Sequence, residues 1–167
     1  MNSRVLIEKA ERVLKECDKH VYRIEKAKAK MQAFMPLDSK KYARLSDDEI
    51  GIIDQFLFRF GKLQDAMGQK LFRITLELLE ENIEGKPFID ILNLMEKLNL
   101  IASADLWKEL REYRNEIAHN YEDNPAIGSQ MINALYEKSD FLISTYSHIK
   151  NFLKEKFNLC EEETIDK

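Results

Sequence analysis

Residues that interrupt regular structure are scarce in this chain of 167 residues, which has only five glycines and three prolines. Their scarcity argues against a loop-rich or all-β fold. Cysteine is scarce as well: Cys17 and Cys160 stand far apart in the sequence, without a CxxC spacing and without a histidine at ligand spacing. This usage predicts reduced thiols in a cytosolic protein.

Long apolar runs are also missing, so we expect no membrane-spanning segment and no membrane partner. The first residues lack the apolar core of a signal peptide, which again predicts a cytoplasmic protein. The formal net charge of −4 argues against wholesale coating of nucleic acid, because non-specific affinity rests on many phosphate contacts. A local basic face remains compatible with that charge.

Several catalytic signatures are absent from the sequence. It contains no glycine-rich phosphate loop, no GxSxG, no HExxH and no carboxylate-rich metal cluster. A metal-dependent nuclease or a nucleoside triphosphatase is therefore poorly supported, and we expect neither a metal nor a cofactor.

What the sequence has is helical periodicity, with 44% hydrophobic and 34% charged residues. Apolar residues recur every three or four positions, which predicts five helices and no strand. The helices are expected from about Ser3 to Phe34, from Ser46 to about Glu84, from Phe88 to Leu98, from Ser103 to about residue 122, and from Pro125 to about Leu159. Residues 36–46 are expected to form a polar connection. The fold class that follows is all-α: one domain over residues 1–167, an antiparallel four-helix bundle with an additional short helix.

Three helix boundaries have specific signals. Ser46 and Glu49 have the spacing of a capping box, in which each side chain satisfies a free backbone N–H. Ser103 is the expected N-cap of the fourth helix. Gly85 and Pro87 are expected to stop the second helix, because neither continues a helix well.

The most informative segment is the octapeptide from Arg114 to Tyr121, which reads Arg-Asn-Glu-Ile-Ala-His-Asn-Tyr. It places a permanent cation, the acid–base residue His119 and a phenol within eight positions. On a straight helix Arg114 and His119 are about 140° apart around the axis, so one undistorted copy does not converge on one substrate. Either the helix frays or bends near residues 123–125, or a second protomer supplies the missing half. The competing interpretation is structural, since a histidine late in a helix is favoured by the helix dipole.

The other two histidines, His20 and His148, lack such neighbours and are expected to be solvated.

The second helix carries a further signal. Gly61, Asp65 and Gly68 fall on one face, and a glycine inside a helix costs about 1 kcal/mol relative to alanine. We therefore expect another helix to approach closely there, with Asp65 paired to Arg114 or Arg111. An exposed surface ion pair of Asp65 is the alternative.

Basic residues are the last candidates. The second helix carries Arg59, Lys62, Lys70 and Arg73, and the connection before it carries Lys40, Lys41 and Arg44. Together they predict a local basic face of the kind that an RNA backbone needs. A solvated helix face without a ligand is the other interpretation. The RNA-binding candidates are Lys40, Lys41, Arg44, Arg59, Lys62 and Arg111.

The pattern Arg-x4-His-x-Tyr formed by Arg114, His119 and Tyr121 matches the signature of the HEPN superfamily. The chain most resembles the HepT-type toxins that are paired with minimal nucleotidyltransferases of the MntA type. The stretch from Phe56 to Gly68 also resembles the second helix of this subgroup. The resemblance covers most of the chain.

The resemblance implies a toxin that is a metal-independent endoribonuclease and acts as a homodimer. In that family the ribose 2′-OH attacks the adjacent phosphate and leaves a 2′,3′-cyclic phosphate. By position, His119 is the acid–base residue, Arg114 holds the phosphate, and Asn115 and Asp65 support the site. Tyr121 matches the tyrosine that the cognate nucleotidyltransferase antitoxin AMPylates. Two alternatives remain: a non-catalytic nucleotide- or substrate-binding subunit of a nucleotidyltransferase, and a plain helical interaction module.

Overall fold

The computed structural model describes residues 2–120 and 124–159, and it describes only the backbone of residues 119 and 120. Within these ranges the regular structure is all helical, which confirms the predicted fold class. The helices are α1 (Ser3–Met31), α2 (Ser39–Ala43), α3 (Asp47–Ala66), α4 (Phe72–Leu78), α5 (Phe88–Lys97), α6 (Ala104–Asn120) and α7 (Pro125–Phe157). A π-helical segment, Met67–Leu71, joins α3 and α4 into one rod.

Each long helix runs antiparallel to the two long helices beside it. As residue numbers rise along one helix, the numbers of the contacting residues on its neighbour fall. The pairs are Asp18–Lys150 and Lys28–Asp140 between α1 and α7, Glu16–Lys70 and His20–Arg59 between α1 and the rod, and Gly61–Arg114 and Gly68–Trp107 between the rod and α6. The contacts of α6 with α7 close the bundle. The four long elements therefore form the expected antiparallel bundle.

The helix N-termini follow the sequence signals. Glu49 N–H donates to Ser46 Oγ at 3.1 Å, and Ser46 N–H donates to Glu49 Oε1 at 2.9 Å. Leu106 N–H donates to Ser103 Oγ at 3.0 Å, which makes Ser103 the cap of α6. The capping box and the serine cap are both confirmed.

The connection before α3 differs from the prediction, because it contains α2. Asp38 caps this short helix by accepting the Lys41 N–H at 2.8 Å. The Asn133 side chain of α7 also holds the segment, since it accepts the Leu37 N–H at 2.8 Å and donates to the Leu37 carbonyl at 2.7 Å. A five-residue helix is too short to show apolar periodicity, which is why the pattern missed it. The predicted end of α1 at Phe34 was also late, since α1 ends at Met31.

The rod ends at Leu78, so the predicted end near Glu84 was wrong. Glu80 has a left-handed backbone with φ of 60°, and the Glu81 N–H donates to the Leu76 carbonyl at 3.0 Å. This is the bonding pattern that commonly closes a helix at a glycine. Gly85 lies too far along the chain to be the stop.

The π-helical segment also changes which residues face the core. It adds one residue to a turn, so the apolar stripe shifts its register after Leu71. Phe72, Thr75 and Leu76 are buried, whereas Ile74 is only half-buried. Periodicity with a constant 3.6-residue turn cannot anticipate this shift.

The buried apolar residues form one cluster that includes residues from all the long helices. Phe72 and Trp107 lie at its centre near the candidate site, with ring centroids 4.8 Å apart. Across the described ranges, none of the helices combines the length and apolar character that a membrane crossing requires.

Glu80→Gly should stabilise the protein. A left-handed conformation costs an L-residue about 1–2 kcal/mol, and glycine adopts it without that cost. The Glu80 side chain is exposed, so little contact is lost. We expect the free energy of unfolding in urea to rise by about 0.5–1 kcal/mol. As a control, Glu25→Gly in the exposed middle of α1 should lower it by about 1 kcal/mol. A lower free energy of unfolding in both variants would contradict the explanation based on the left-handed backbone of Glu80.

Candidate functional site

Arg114 of α6 forms a bidentate salt bridge with Asp65 of α3. Its Nη1 donates to Asp65 Oδ1 at 2.9 Å and its Nη2 donates to Asp65 Oδ2 at 3.3 Å. The Arg114 side chain is 21% exposed and that of Asp65 is 43% exposed. The predicted pairing of Asp65 with a cation from a neighbouring helix is therefore confirmed, and the cation is Arg114 rather than Arg111.

Gln64 is a member of this site that the sequence did not reveal. It is 2% exposed, and its Oε1 accepts a second hydrogen bond from Arg114 Nη1 at 3.1 Å. Its Nε2 donates to the Trp107 carbonyl of α6 at 3.1 Å. The sequence signal was the position of Gln64 within an apolar stripe. A buried side-chain amide needs hydrogen-bond partners, so it indicates a polar contact with a neighbouring helix. Gln64 thus ties both the arginine and the backbone of α6 to α3.

Two glycines make room for this contact. A Cβ at Gly61 would lie 2.9 Å from Arg114 Nη2 and 3.1 Å from its Nε, so a side chain there would displace the guanidinium from its present position. A Cβ at Gly68 would lie 3.3 Å from Phe88 Cε2 and 3.5 Å from Trp107 Cζ2. The expected close approach at this face is confirmed. The approaching groups are the Arg114 side chain and two aromatic rings.

The Arg114 guanidinium has N–H groups that donate no hydrogen bond to the described residues. Arginine has five N–H groups, and Asp65 and Gln64 occupy three of them. The Nε–H and one Nη2–H therefore have no acceptor among the described residues. Because the described residues contain no buried side-chain nitrogen without a partner, Nε is not sealed from solvent. Two N–H groups of Arg114 thus remain without a described acceptor while Asp65 and Gln64 hold the guanidinium.

The rest of the octapeptide is only partly described. The α6 backbone is helical through Asn120, so the helix does not fray up to that residue, and residues 121–123 lie outside the described ranges. The Cα positions of Arg114 and His119 consequently stay about 140° apart around the axis. Asn115 is exposed. Tyr121 lies outside the described residues, and so does the side chain of His119.

Two grooves border the Arg114–Asp65 pair. The first, which we call the apolar groove, has a volume of about 380 Å³ and is lined by Leu57, Phe58, Ile117 and Ala118, together with the charged residues Asp54 and Lys62. Phe58 is 56% exposed, the largest fraction among the large apolar side chains that the structure describes. The second, which we call the arginine groove, has a volume of about 210 Å³ and is lined by Gln69, Arg73, Phe88, Trp107 and Arg111. Arg114 and Asp65 line both grooves.

The six predicted RNA-binding residues do not share one face. Lys62 lines the apolar groove and Arg111 lines the arginine groove, so these two flank Arg114. Lys40, Lys41 and Arg44 line a separate depression with Asp38 and Glu49, near the start of α3. Asp65 lies eighteen residues after Asp47 on that helix, roughly 27 Å away along its axis.

Arg59 is engaged by a buried histidine. Its Nη1 donates to His20 Nδ1 at 3.1 Å, and His20 Nε2 lies 3.8 Å from Glu16 Oε1. The prediction that His20 is solvated was wrong, whereas His148 is exposed as expected. Burial and the adjacent Arg59 lower the pKa of His20, with Glu16 opposing them. The lowered pKa favours the neutral ring, whose Nδ1 can accept the hydrogen bond from Arg59.

Other chemistry is limited in the described part of the chain. Cys17 is buried, and its burial raises the pKa of the thiol to about 12, so it is not a nucleophile near neutral pH. Cys160 lies outside the described residues. No group of three or more His, Cys, Asp and Glu side chains in the described ranges is placed to hold a metal ion.

Comparisons with protein-family models, with curated proteins and with solved structures found no match to this chain. The site must therefore be interpreted from its own geometry.

Gly61→Ala and Gly51→Ala form a matched pair that tests this geometry. Both glycines lie on α3, but a Cβ at Gly51 meets nothing within 4 Å. Gly51→Ala should raise the free energy of unfolding by about 0.5–1 kcal/mol. Gly61→Ala should miss that gain, because the methyl group displaces the guanidinium from Asp65 and Gln64. We expect it to be at least about 1 kcal/mol less stable than Gly51→Ala in urea unfolding. An equal gain in both variants would show that the guanidinium does not rest on Gly61.

Proposed function

We propose that this protein is a HEPN-type endoribonuclease, the toxin of a toxin–antitoxin pair, and that it cleaves RNA without a metal. The observation that supports this most directly is the state of Arg114. Asp65 and Gln64 hold its guanidinium in one orientation, and two N–H groups remain for an anion. An arginine arranged in this way is suited to a phosphate, because the fork of N–H donors matches phosphate oxygens.

The proposed reaction is an internal phosphoryl transfer. The ribose 2′-OH attacks the adjacent phosphorus, the bond from phosphorus to the 5′-oxygen breaks, and a 2′,3′-cyclic phosphate and a 5′-OH remain. The proton of the 2′-OH goes to a base, and the departing 5′-oxygen takes up a proton from an acid. His119 is suited to either role, since the ordinary pKa of histidine is near 6.5.

Arg114 would stabilise the charge that develops on the phosphate oxygens during this transfer. Its orientation is set before substrate arrives, so little reorganisation is required at the moment of reaction. Asp65 and Gln64 act through Arg114 as positioning residues. Asn115, which is exposed beside Arg114 on α6, is proposed to orient the substrate.

The active form is proposed to be a homodimer. Arg114 and His119 diverge by about 140° on a helix that stays regular through Asn120, so one copy does not bring them together. The apolar groove next to Arg114 supports association, because exposed apolar surface with a charged rim is typical of protein contacts. Phe58 is the most exposed of its large apolar residues. Across the dimer, His119 of one protomer would face the Arg114-bound phosphate of its partner.

Inactivation is proposed to occur by AMPylation of Tyr121 by a cognate nucleotidyltransferase. Tyr121 follows Arg114 by seven residues, two turns of helix if α6 continued that far. An attached AMP would place bulk and negative charge near the guanidinium, which would compete with the RNA phosphate and repel it.

His119→Ala tests the catalytic assignment. We expect the purified wild-type protein to cleave single-stranded RNA in the presence of EDTA and to leave 2′,3′-cyclic phosphate ends. His119→Ala should lower the rate about 100-fold or more, the usual contribution of an acid–base residue. The matched control is His148→Ala, an exposed histidine on α7 that should cleave like wild type. Activity that persists in His119→Ala, or that disappears with EDTA, would overturn the assignment.

Tyr121→Phe tests the proposed inactivation. Incubation with ATP and a small nucleotidyltransferase encoded beside this gene should add AMP to Tyr121 and abolish RNA cleavage. Mass spectrometry of the digested protein should place the adduct on Tyr121, and Tyr121→Phe should remain active and unmodified. As a control, the Tyr113→Phe variant, which changes another tyrosine of α6, should still be modified on Tyr121. A stable complex that leaves Tyr121 unmodified, together with an absence of RNA cleavage, would favour a nucleotide- or substrate-binding subunit instead.

A further inference from the structure

The arginine groove contains two cations that the proposed chemistry does not use. Arg73 lies on α4 and Arg111 on α6, and both line the groove next to Arg114. We propose that this groove binds the phosphodiester backbone of the RNA strand that flanks the cleaved bond. This inference rests on the proposed ribonuclease function and specifies where the substrate lies.

The charges of these two arginines are not neutralised by any carboxylate among the described residues. Among the described residues, neither Arg73 nor Arg111 has a carboxylate within salt-bridge distance, in contrast to Lys28, Lys70, Lys138 and Lys150, which each have one. Arg111 lies over the Phe88 ring, with its Cζ 5.5 Å from the centroid. That contact restricts the side chain while leaving its N–H groups available. Two unpaired guanidinium groups in one groove are suited to bind anions.

The spacing of the arginines matches a strand that passes through the Arg114 site. Arg111 precedes Arg114 by three residues, so it lies about one turn away on the same helix. Arg73 follows Asp65 by eight residues, which is roughly 12 Å along the rod. The groove therefore offers cations at successive distances from Arg114, as a phosphate backbone requires.

The groove also continues beyond Arg73. Arg73 and Gln69 line a neighbouring depression against α1, which includes Arg12 and Lys70. Lys70 is paired with Glu16 at 3.0 Å, so Arg12 is the next exposed cation on this path. The path from Arg114 past Arg111 and Arg73 towards Arg12 joins three helices. Lys40 and Lys41 line a separate depression that shares no lining residue with the arginine groove or the apolar groove.

The double variant Arg73→Ala/Arg111→Ala tests this path in the full-length protein. The ligand is a single-stranded RNA oligonucleotide whose 2′-OH groups are replaced by fluorine, so that it is bound but not cut. Fluorescence anisotropy gives the affinity over a salt series from about 50 to 200 mM. Each phosphate contact on a single strand contributes about 0.7 to the slope of log affinity against log salt. We expect the double variant to lose about 1.4 of that slope and to bind on the order of tenfold more weakly at low salt.

Three further variants serve as comparisons. Arg4→Ala/Arg23→Ala removes the same two charges from exposed positions on α1 outside the grooves, and it should bind like wild type. Arg73→Lys/Arg111→Lys should keep most of the salt slope, because lysine retains the charge. Lys40→Ala/Lys41→Ala should leave the slope unchanged. Circular dichroism melting curves show whether each variant is folded.

The outcomes separate this inference from the function on which it rests. If wild type cleaves unmodified RNA but Arg73→Ala/Arg111→Ala keeps the full slope, the groove is not the RNA path and the inference is wrong. A slope that falls instead in Lys40→Ala/Lys41→Ala also overturns it. If the double variant keeps RNA binding but no longer binds the nucleotidyltransferase, the groove is a protein-docking surface. If wild type neither binds nor cleaves RNA, the proposed function itself fails.

Discussion

The geometry of the candidate site depends on one interaction, the contact of Arg114 with Asp65 and Gln64. It joins α6 to α3 through three hydrogen bonds from one guanidinium, at distances between 2.9 and 3.3 Å. Gln64 extends the network to the Trp107 carbonyl on the same helix. Because the arginine is only partly exposed, its charge needs these partners, and the partners in turn fix its orientation. A group that would otherwise be mobile on a helix surface becomes a rigid donor between two grooves.

This contact requires several features of the rod to act together. Gly61 gives the guanidinium its space, and Gly68 accommodates the rings of Phe88 and Trp107. The π-helical segment begins two residues after Asp65 and shifts the register, so that Phe72 reaches the core beside Trp107. Single π-helical turns inside α-helices occur often at functional sites. Here α3 presents a polar pair to α6, while α4 presents apolar residues to the core.

Local patterns predicted most of the fold, and the errors have physical causes. The bundle and the capping box at Ser46 were predictable because they depend on helix period and on short-range hydrogen bonds. The pairing of Asp65 with a cation was predictable because Gly61 and Gly68 flank it on one helix face and indicate a close approach. The end of the rod was missed because Glu80 adopts a conformation usually taken by glycine. His20 was misjudged because its burial depends on how α1 packs on α3. The shared basic face did not form either, since charges that are close in sequence lie on different sides of packed helices.

The sequence by itself determined the helical class, the starts of the long helices and the candidate residues Arg114, His119 and Tyr121, because periodicity, capping and motif spacing are encoded within a few turns. Only the tertiary structure decided that Arg114 rather than Arg111 pairs with Asp65, that Gln64 belongs to the site, and that Arg73 and Arg111 border the same groove. Those relations join α3, α4 and α6, which are distant along the chain. They arise from side-chain packing between helices, and the angle and register of that packing are set by the whole core rather than by any one segment.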